Sequence, residues 1–463
     1  MKKKGVPERN DSLDALRGIA ILLMVLSGSI AFGGVLPSWM YHAQVPPPLH
    51  RFDPNIPGIT WVDLVFPFFL FSMGAAIPLA LRKLEDRPAA TANVWWIAIR
   101  RYLLLTWFAL FTQHMKAWVI SAEPSGVHYL LSIVAFALLF VELYQPAHDG
   151  KSKLFIYLRI LAYALSALLL YLLPFHAGKG FQFDKSDIIL LVLANMAFFG
   201  TLAWWYTRHN LLLRLGLLPI IMAILLGGKV AGSWNEAVLN WSPLPWMYKF
   251  YYLKYLFIII PGTIAGEMML GKDNEGVTEG QQHAAGWLAF FLTIVNVGSL
   301  FGRHLLPNLF VSFVCIALLL FLIRNKKGSL TYGLLAWGSY LLLLGLCFEA
   351  FEGGIKKDSS TFSYYFVTTG LAFYILQFFY TLQRYGIGAL ISRYLATNGR
   401  NPMVAYVAGG LLLTPVLHLT RTQPFFDQMQ GNAFTGFMKG FLFTAIVSMI
   451  TYTFTRQKWY WKT

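Results

Sequence analysis

Charge is what this sequence has least of. Only 13% of its 463 residues are Asp, Glu, Lys or Arg, where a soluble domain carries about a quarter. Cysteine is almost absent too. Cys315 and Cys347 both lie inside apolar runs, without metal-ligand spacing, so they say nothing about redox compartment. The sequence has no P-loop, no dinucleotide-binding glycine pattern, no zinc-type His/Cys spacing and no G-x-S-x-G elbow. ATP-driven transport and serine-hydrolase chemistry are left without support, and no metal cofactor is expected. Internal repeats, low-complexity segments and linkers are missing as well.

What is present is apolar sequence: 57% of the residues are hydrophobic. They fall in runs of about 20, the length that crosses a bilayer core. Segments 61–81, 154–173 and 361–382 are examples. The pattern predicts an all-α fold: a polytopic transmembrane helix bundle of about 14 spans (range 11–14), forming a single domain over residues 1–463. The expected spans are 14–36, 61–81, 102–121, 128–145, 154–174, 187–206, 212–232, 250–271, 284–300, 306–323, 330–350, 362–383, 402–420 and 436–455. The seventh, ninth and thirteenth carry Gly, Pro or polar residues and are the weakest. The first apolar run has no small-x-small cleavage site and reads as a retained helix rather than a signal peptide.

The formal net charge of +16 does not call for nucleic acid. Lys and Arg concentrate in segments 1–13, 82–101, 324–327, 384–400 and 456–463, which alternate correctly to lie on one membrane side. The positive-inside rule makes that side cytoplasmic, together with both termini. Aromatic clusters at 204–206 and 459–461 fit interfacial belts. Membrane lipids are therefore expected partners.

Polar residues at or within spans are the first candidates for function. The densest group surrounds loop 37–60, extracytoplasmic in this topology. It holds His42, His50, Arg51 and Asp53, and Asp63 follows at the head of a very apolar helix. A histidine beside a carboxylate can work as a general base. The simpler alternatives are a solvated loop and, for Asp63, a helix-capping or dipole-compensating role. Asp14 and Arg17 are three residues apart on one helix face and can pair, although Arg17 could instead meet a phosphate. Asn398, Arg400 and Asn401 form a polar entrance to the thirteenth span. Glu267, Glu349, Glu352 and His418 are more weakly marked.

Two blocks carry a resemblance: SLDALRGIAILLMV, and GITWVDLVFPFFLFSMG with its T-x-x-D-L-V-F-P-F-F-L-F core. The chain resembles the heparan-α-glucosaminide N-acetyltransferase family of transmembrane acyltransferases and its bacterial relatives. Weaker likeness follows in order at GTIAGEMM, STFSYYFVTTGLAFYILQFFY, GRNPMVAY and RQKWYWK. The resemblance implies acetyl transfer from cytoplasmic acetyl-CoA, as co-substrate, to a sugar amine or glycan across the membrane. In a bacterial cell that membrane is the inner one. It also permits a homodimer.

The family's key histidine precedes the T-x-x-D motif in the first outer loop, which carries over to His42 or His50. His42 keeps the Ala43 that follows it. His50 is nearer to Gly58, Thr60 and Asp63 and is favoured slightly. The cofactor-side candidates are Arg17, Asn398, Arg400 and Asn401, from charge and side. Two features depart from the family: Ser27, Gly28 and Ser29 stand where an asparagine is usual, and two helix pairs look inserted.

Two other classes remain open. A secondary transporter or lipid-linked sugar translocase would show inverted repeats and midplane carboxylates. A catalytically silent scaffold would show neither transfer nor transport.

Overall fold

The computed structural model describes residues 11–85, 89–145, 153–271, 274, 276–384 and 386–462. The termini assigned to the cytoplasm, residues 1–10 and 463, lie outside the described residues.

Among the described residues there is no strand, only an isolated bridge between Tyr144 and Trp461. The long helices are α1 (Asp11–Ser29), α2 (Trp61–Leu81), α3 (Ala90–His114), α4 (Gly126–Leu143), α5 (Lys153–Leu172), α6 (Ile188–Thr207), α7 (Leu211–Gly227) and α8 (Phe250–Gly271). There follow α9 (Glu279–Phe301), α10 (Leu305–Leu322), α11 (Leu330–Phe348), α12 (Phe362–Leu382), α13 (Gly386–Gly399), α14 (Pro402–Leu419) and α15 (Ala433–Arg456). Among the described residues, thirteen helices are long and apolar enough to cross a membrane, and α7, with 17 residues, is a shorter apolar helix. The chain is a polytopic helical bundle.

The boundaries correct the sequence reading in four places. The first span was expected to run to residue 36, but α1 stops at Ser29, and Gly33 and Gly34 then take φ of 96° and 89°. Such angles end a helix and suit only glycine well. The third span was expected at 102–121 and is a helix from Ala90 to His114. Its charged start, with Arg100 and Arg101, lies outside the apolar window, yet helical backbone bonding runs through it. Segment 384–400 was expected as a loop and contains α13. That helix buries Ala389, Ser392, Leu395 and Ala396, and exposes Ile387, Leu390, Ile391 and Tyr394. Lastly, α14 is not one regular helix. Residues Ala408–Leu413 form a π-helical turn just before Pro415, whose ring and missing N–H a regular turn would not accommodate.

The helices group into two compact units interleaved in sequence. Unit 1 comprises residues 1–27, 37–72 and 268–402; unit 2 comprises 28–36, 73–267 and 403–463.

In unit 1, α12 is the buried helix, packed on α11 and on α9. Its contact with α11 is backbone-close: a Cβ at Gly370 would lie 2.7 Å from Leu342 N and 2.8 Å from Gly338 O. Small residues that allow such approach drive helix association where the surrounding solvent is itself apolar. Several polar side chains of α12 are bonded inside the unit. Ser363 donates to Gly345 O (2.8 Å), Tyr374 and Ser339 share a bond of 2.9 Å, and Thr381 donates to Gln282 O (3.0 Å).

In unit 2, α3 packs on α6 and α4 on α5. One buried charge there is paired: Arg214, on α7, meets Glu267 at 2.8 Å.

Candidate functional site

The site begins with the cap of α2. Thr60 Oγ1 accepts the Val62 N–H (3.2 Å), and Asp63 Oδ2 accepts the Thr60 N–H (2.9 Å). The two side chains together cap the start of the helix, which gives the T-x-x-D motif a structural purpose. Thr60 Oγ1 also donates to Tyr41 O at 2.7 Å, and Asp63 Oδ2 accepts the Ala43 N–H at 3.2 Å. Loop residues 41–43 are thereby fastened to the start of the helix. From α12, the Tyr364 hydroxyl donates to Asp63 O at 2.8 Å.

Oδ2 of Asp63 is thus committed to the cap, and Oδ1 faces elsewhere. Asp63 is fully buried. Its Oδ1 lies 3.2 Å from His42 Nδ1 and 3.9 Å from Lys357 Nζ. The opposite edge of the imidazole meets a second carboxylate: His42 Nε2 is 3.1 Å from Asp358 Oδ2. The His42 side chain is 16% exposed and that of Asp358 49%, so the pair leads from a buried acid outward.

Gln44 ties the two loop segments of this site together. Its N–H donates to His42 Nδ1 (3.2 Å), and its Oε1 accepts the Asp358 N–H (3.2 Å). Nδ1 cannot accept from Gln44 and donate to Asp63 at once. In the neutral ring the Gln44 bond has the better geometry, because Asp63 Oδ1 has no aligned hydrogen-bond donor. That tautomer carries its proton on Nε2, towards Asp358. When the ring is protonated, Nδ1–H and Nε2–H face one carboxylate each.

Lys357 and Asp358 come from the segment between α11 and α12. That segment is pinned to the first loop by Gly58 N–H donating to Ile355 O (2.7 Å), and internally by Glu349, which holds Arg303 and the Ile355 N–H. Glu352 accepts the Phe362 N–H at the start of α12.

Of the residues marked in the sequence, His42 and Asp63 come together. His50 is placed differently. Its ring packs edge-on against Tyr41 (centroids 4.5 Å apart), and its Nδ1 is 3.4 Å from Val45 O. It also takes a left-handed backbone, φ 48°. The slight preference for His50 rested on distance along the chain. The turn through 41–44, fastened by Thr60 and Asp63, brings the more distant histidine to the acid. Sequence reasoning missed Gln44 and Asp358, and did not assign Lys357 to the site. The available signal was that segment 351–361 is assigned to the same membrane side as loop 37–60.

The second group of candidates forms a separate cluster in unit 1. Arg17 bonds Asp14 (3.1 Å) and also donates to Ser72 Oγ and Ser72 O, at 3.3 and 3.2 Å. Arg400 pairs with Asp11, and its Nε lies 3.5 Å from Asp14 Oδ2. Asn398 and Asn401 are buried beside it, and Asn398 donates to Tyr394 O. A close crossing builds the cluster: a Cβ at Gly18 would lie 1.9 Å from Leu395 O, and one at Gly399 1.8 Å from Asp14 O.

Two further marked residues have structural partners in unit 2. Glu267 accepts from Trp204 Nε1 as well as pairing with Arg214, and His418 stacks on Tyr129. One unmarked group there is Lys116, bonded to Gln113 and 3.9 Å from Asp187, which Tyr406 also donates to. Burial holds the Lys116 amine below its usual range, and the nearby Asp187 opposes this.

The fold and this geometry define a class: a polytopic helical membrane-type protein with a histidine held beside the buried capping acid of a long apolar helix. Residues 9–269 match a family model described as "Domain of unknown function (DUF5009)", and the chain belongs to that family. Human heparan-alpha-glucosaminide N-acetyltransferase is 34% identical over 101 residues, which is 22% of this chain and 13% of the human protein. The match therefore spans only a small part of that relative.

Proposed function

We propose that this protein is a membrane-embedded acyltransferase that moves an acetyl group from acetyl-CoA to an amine or hydroxyl of a sugar or glycan. The observation that carries this reading is the His42–Asp63 pair at 3.2 Å, on a loop anchored to the head of α2. The local similarity to an N-acetyltransferase supports it.

His42 takes the proton of the acceptor as its nitrogen or oxygen attacks the thioester carbonyl. The carbon–sulfur bond breaks, and CoA leaves as the thiolate. A route through an acetyl-histidine intermediate uses the same nitrogen as nucleophile. In both, Asp63 stabilises the positive charge that the ring acquires.

The acetyl donor reaches the site from the cytoplasmic face, where the Arg17–Arg400 cluster is the candidate for its phosphates. Two arginines and two aspartates balance in that cluster, so a phosphate must displace Asp11 or Asp14 to bind there.

The test is incubation of the purified protein with labelled acetyl-CoA and a panel of amino sugars. Labelled product that disappears in His42→Ala supports the reading. Absence of transfer to every acceptor, from protein that is folded and monodisperse, sinks it.

A further inference from the structure

His42 lies between two carboxylates, and the acetyl-transfer reading uses only one. Asp63 is fully buried and already committed through Oδ2 to the cap of α2. Its side chain has no exposure to solvent. Asp358 is different in each respect. It stands 3.1 Å from Nε2, the ring nitrogen turned away from the buried acid, and about half of its side chain is exposed. Its backbone N–H is held by the buried side-chain carbonyl of Gln44, whose own main-chain N–H donates to His42 Nδ1. The two residues are therefore kept in register through one residue, Gln44, although 316 positions separate them in sequence.

We propose that Asp358 is the second acid of the site: it holds the Nε2 edge of His42 and carries the proton taken from the acceptor out to water. The inference rests on the acetyl-transfer reading. For the transfer step, the ring gives up the Gln44 N–H bond for the other tautomer, with its proton on Nδ1 towards Asp63 Oδ1 and its lone pair on Nε2. The acceptor nitrogen or oxygen forms its bond to the acetyl carbon and gives its proton to Nε2. The carbon–sulfur bond breaks and the electron pair leaves on the CoA thiolate. The imidazolium then donates from Nδ1 to Asp63 and from Nε2 to Asp358, the arrangement that the 3.2 and 3.1 Å separations provide. Asp358 takes the Nε2 proton and releases it to solvent, while water supplies one proton to the thiolate. Protons balance, and no oxidant or reductant is needed. Lys357, 3.9 Å from Asp63 Oδ1, offsets the charge of the buried acid while the ring is neutral.

Two measurements test this. The first is turnover of Asp358→Ala and Asp358→Glu, with sodium formate added as a diffusible carboxylate. Removing Asp358 should lower kcat by about 100-fold, the low end for a positioned proton-transfer group, with KM little changed. Formate should restore part of the loss, and the glutamate variant should keep part of it. Unchanged turnover in the alanine variant overturns the proposal. So does a loss that neither formate nor glutamate relieves, because that is the signature of a purely structural residue.

The second measurement needs no acetyl-CoA, so it separates this proposal from the acetyl-transfer reading. Diethyl pyrocarbonate labelling of His42 is followed by peptide mass spectrometry, with His50 as the internal reference. With Asp358 gone, Nε2 is uncovered, and His42 should be labelled several-fold faster while His50 is unaffected. Equal rates at His42 in the two proteins overturn the proposal even if acetyl transfer is confirmed. Faster labelling in a protein that transfers no acetyl group keeps the Asp358–His42 contact and discards the transfer step built on it.

Discussion

At the scale of single residues, Asp63 has two roles, and its two oxygens divide them. Oδ2 caps α2 and Oδ1 faces His42. Substitutions should separate the two roles. In Asp63→Asn the amide carbonyl can still cap the helix, so membrane expression should persist while turnover falls at least about tenfold with the loss of charge. Asp63→Ala also removes the cap, and should lower stability by about 0.5–2 kcal/mol, read from thermal denaturation in detergent. The histidines should separate as sharply. His42→Ala should reduce acetyl transfer by about 100-fold or more. His50→Ala should remain within a few-fold of the parent, because its ring packs on Tyr41 instead of meeting the acid. An essential His50 with a dispensable His42 would reverse the assignment. Both imidazoles and the acid could be read from the sequence. Which imidazole meets the acid could not, because a turn of a few residues decides it and spacing along the chain does not record turns.

At the scale of elements, the crossing of α1 and α13 is the most constrained contact in unit 1. Added methyl groups at Gly18 or Gly399 would meet backbone carbonyls below 2 Å, and backbone cannot rotate aside as a side chain can. Gly399→Ala should therefore cost about 1–3 kcal/mol or more, seen as a lower melting temperature. The same crossing sets Arg17 and Arg400 around Asp14. Arg17→Ala should weaken acetyl-CoA binding, measured by calorimetry, if a phosphate displaces Asp14. Unchanged affinity in a folded variant would assign Arg17 to its ion pair and its bonds to Ser72. Helix α13 was hidden from the hydropathy reading because its apolar face is only part of a short amphipathic segment. Its exposed residues Ile387, Leu390, Ile391 and Tyr394 follow helical spacing, a signal that a 20-residue apolar window dilutes.

At the scale of the whole molecule, the alternation of basic and non-basic segments makes a topological claim. With single cysteines placed on a background lacking Cys315 and Cys347, Asn55→Cys should react with a membrane-impermeant maleimide in intact cells. Thr463→Cys should react only after permeabilisation. Labelling of position 463 from outside would overturn both the orientation and the assignment of loop 37–60 to the extracytoplasmic face. The number of long helices was legible because each apolar run of about 20 residues announces itself. Their limits were less so: α3 begins before its apolar window and α1 ends before its own does.

The sequence by itself determined that this chain is an all-helical membrane-type protein, because apolar runs long enough to cross a bilayer need no tertiary partner to be recognised. It also determined that Asp63 stands at the head of a very apolar helix, since an acid in the first turn is a local signal. Only the tertiary structure decided that His42 stands against Asp63, that Gln44 joins it to Asp358, and that Arg17 and Arg400 share Asp14. These contacts join residues up to several hundred positions apart. What brings such pairs together is helix packing and loop anchoring, and neither leaves a period or a spacing in the chain.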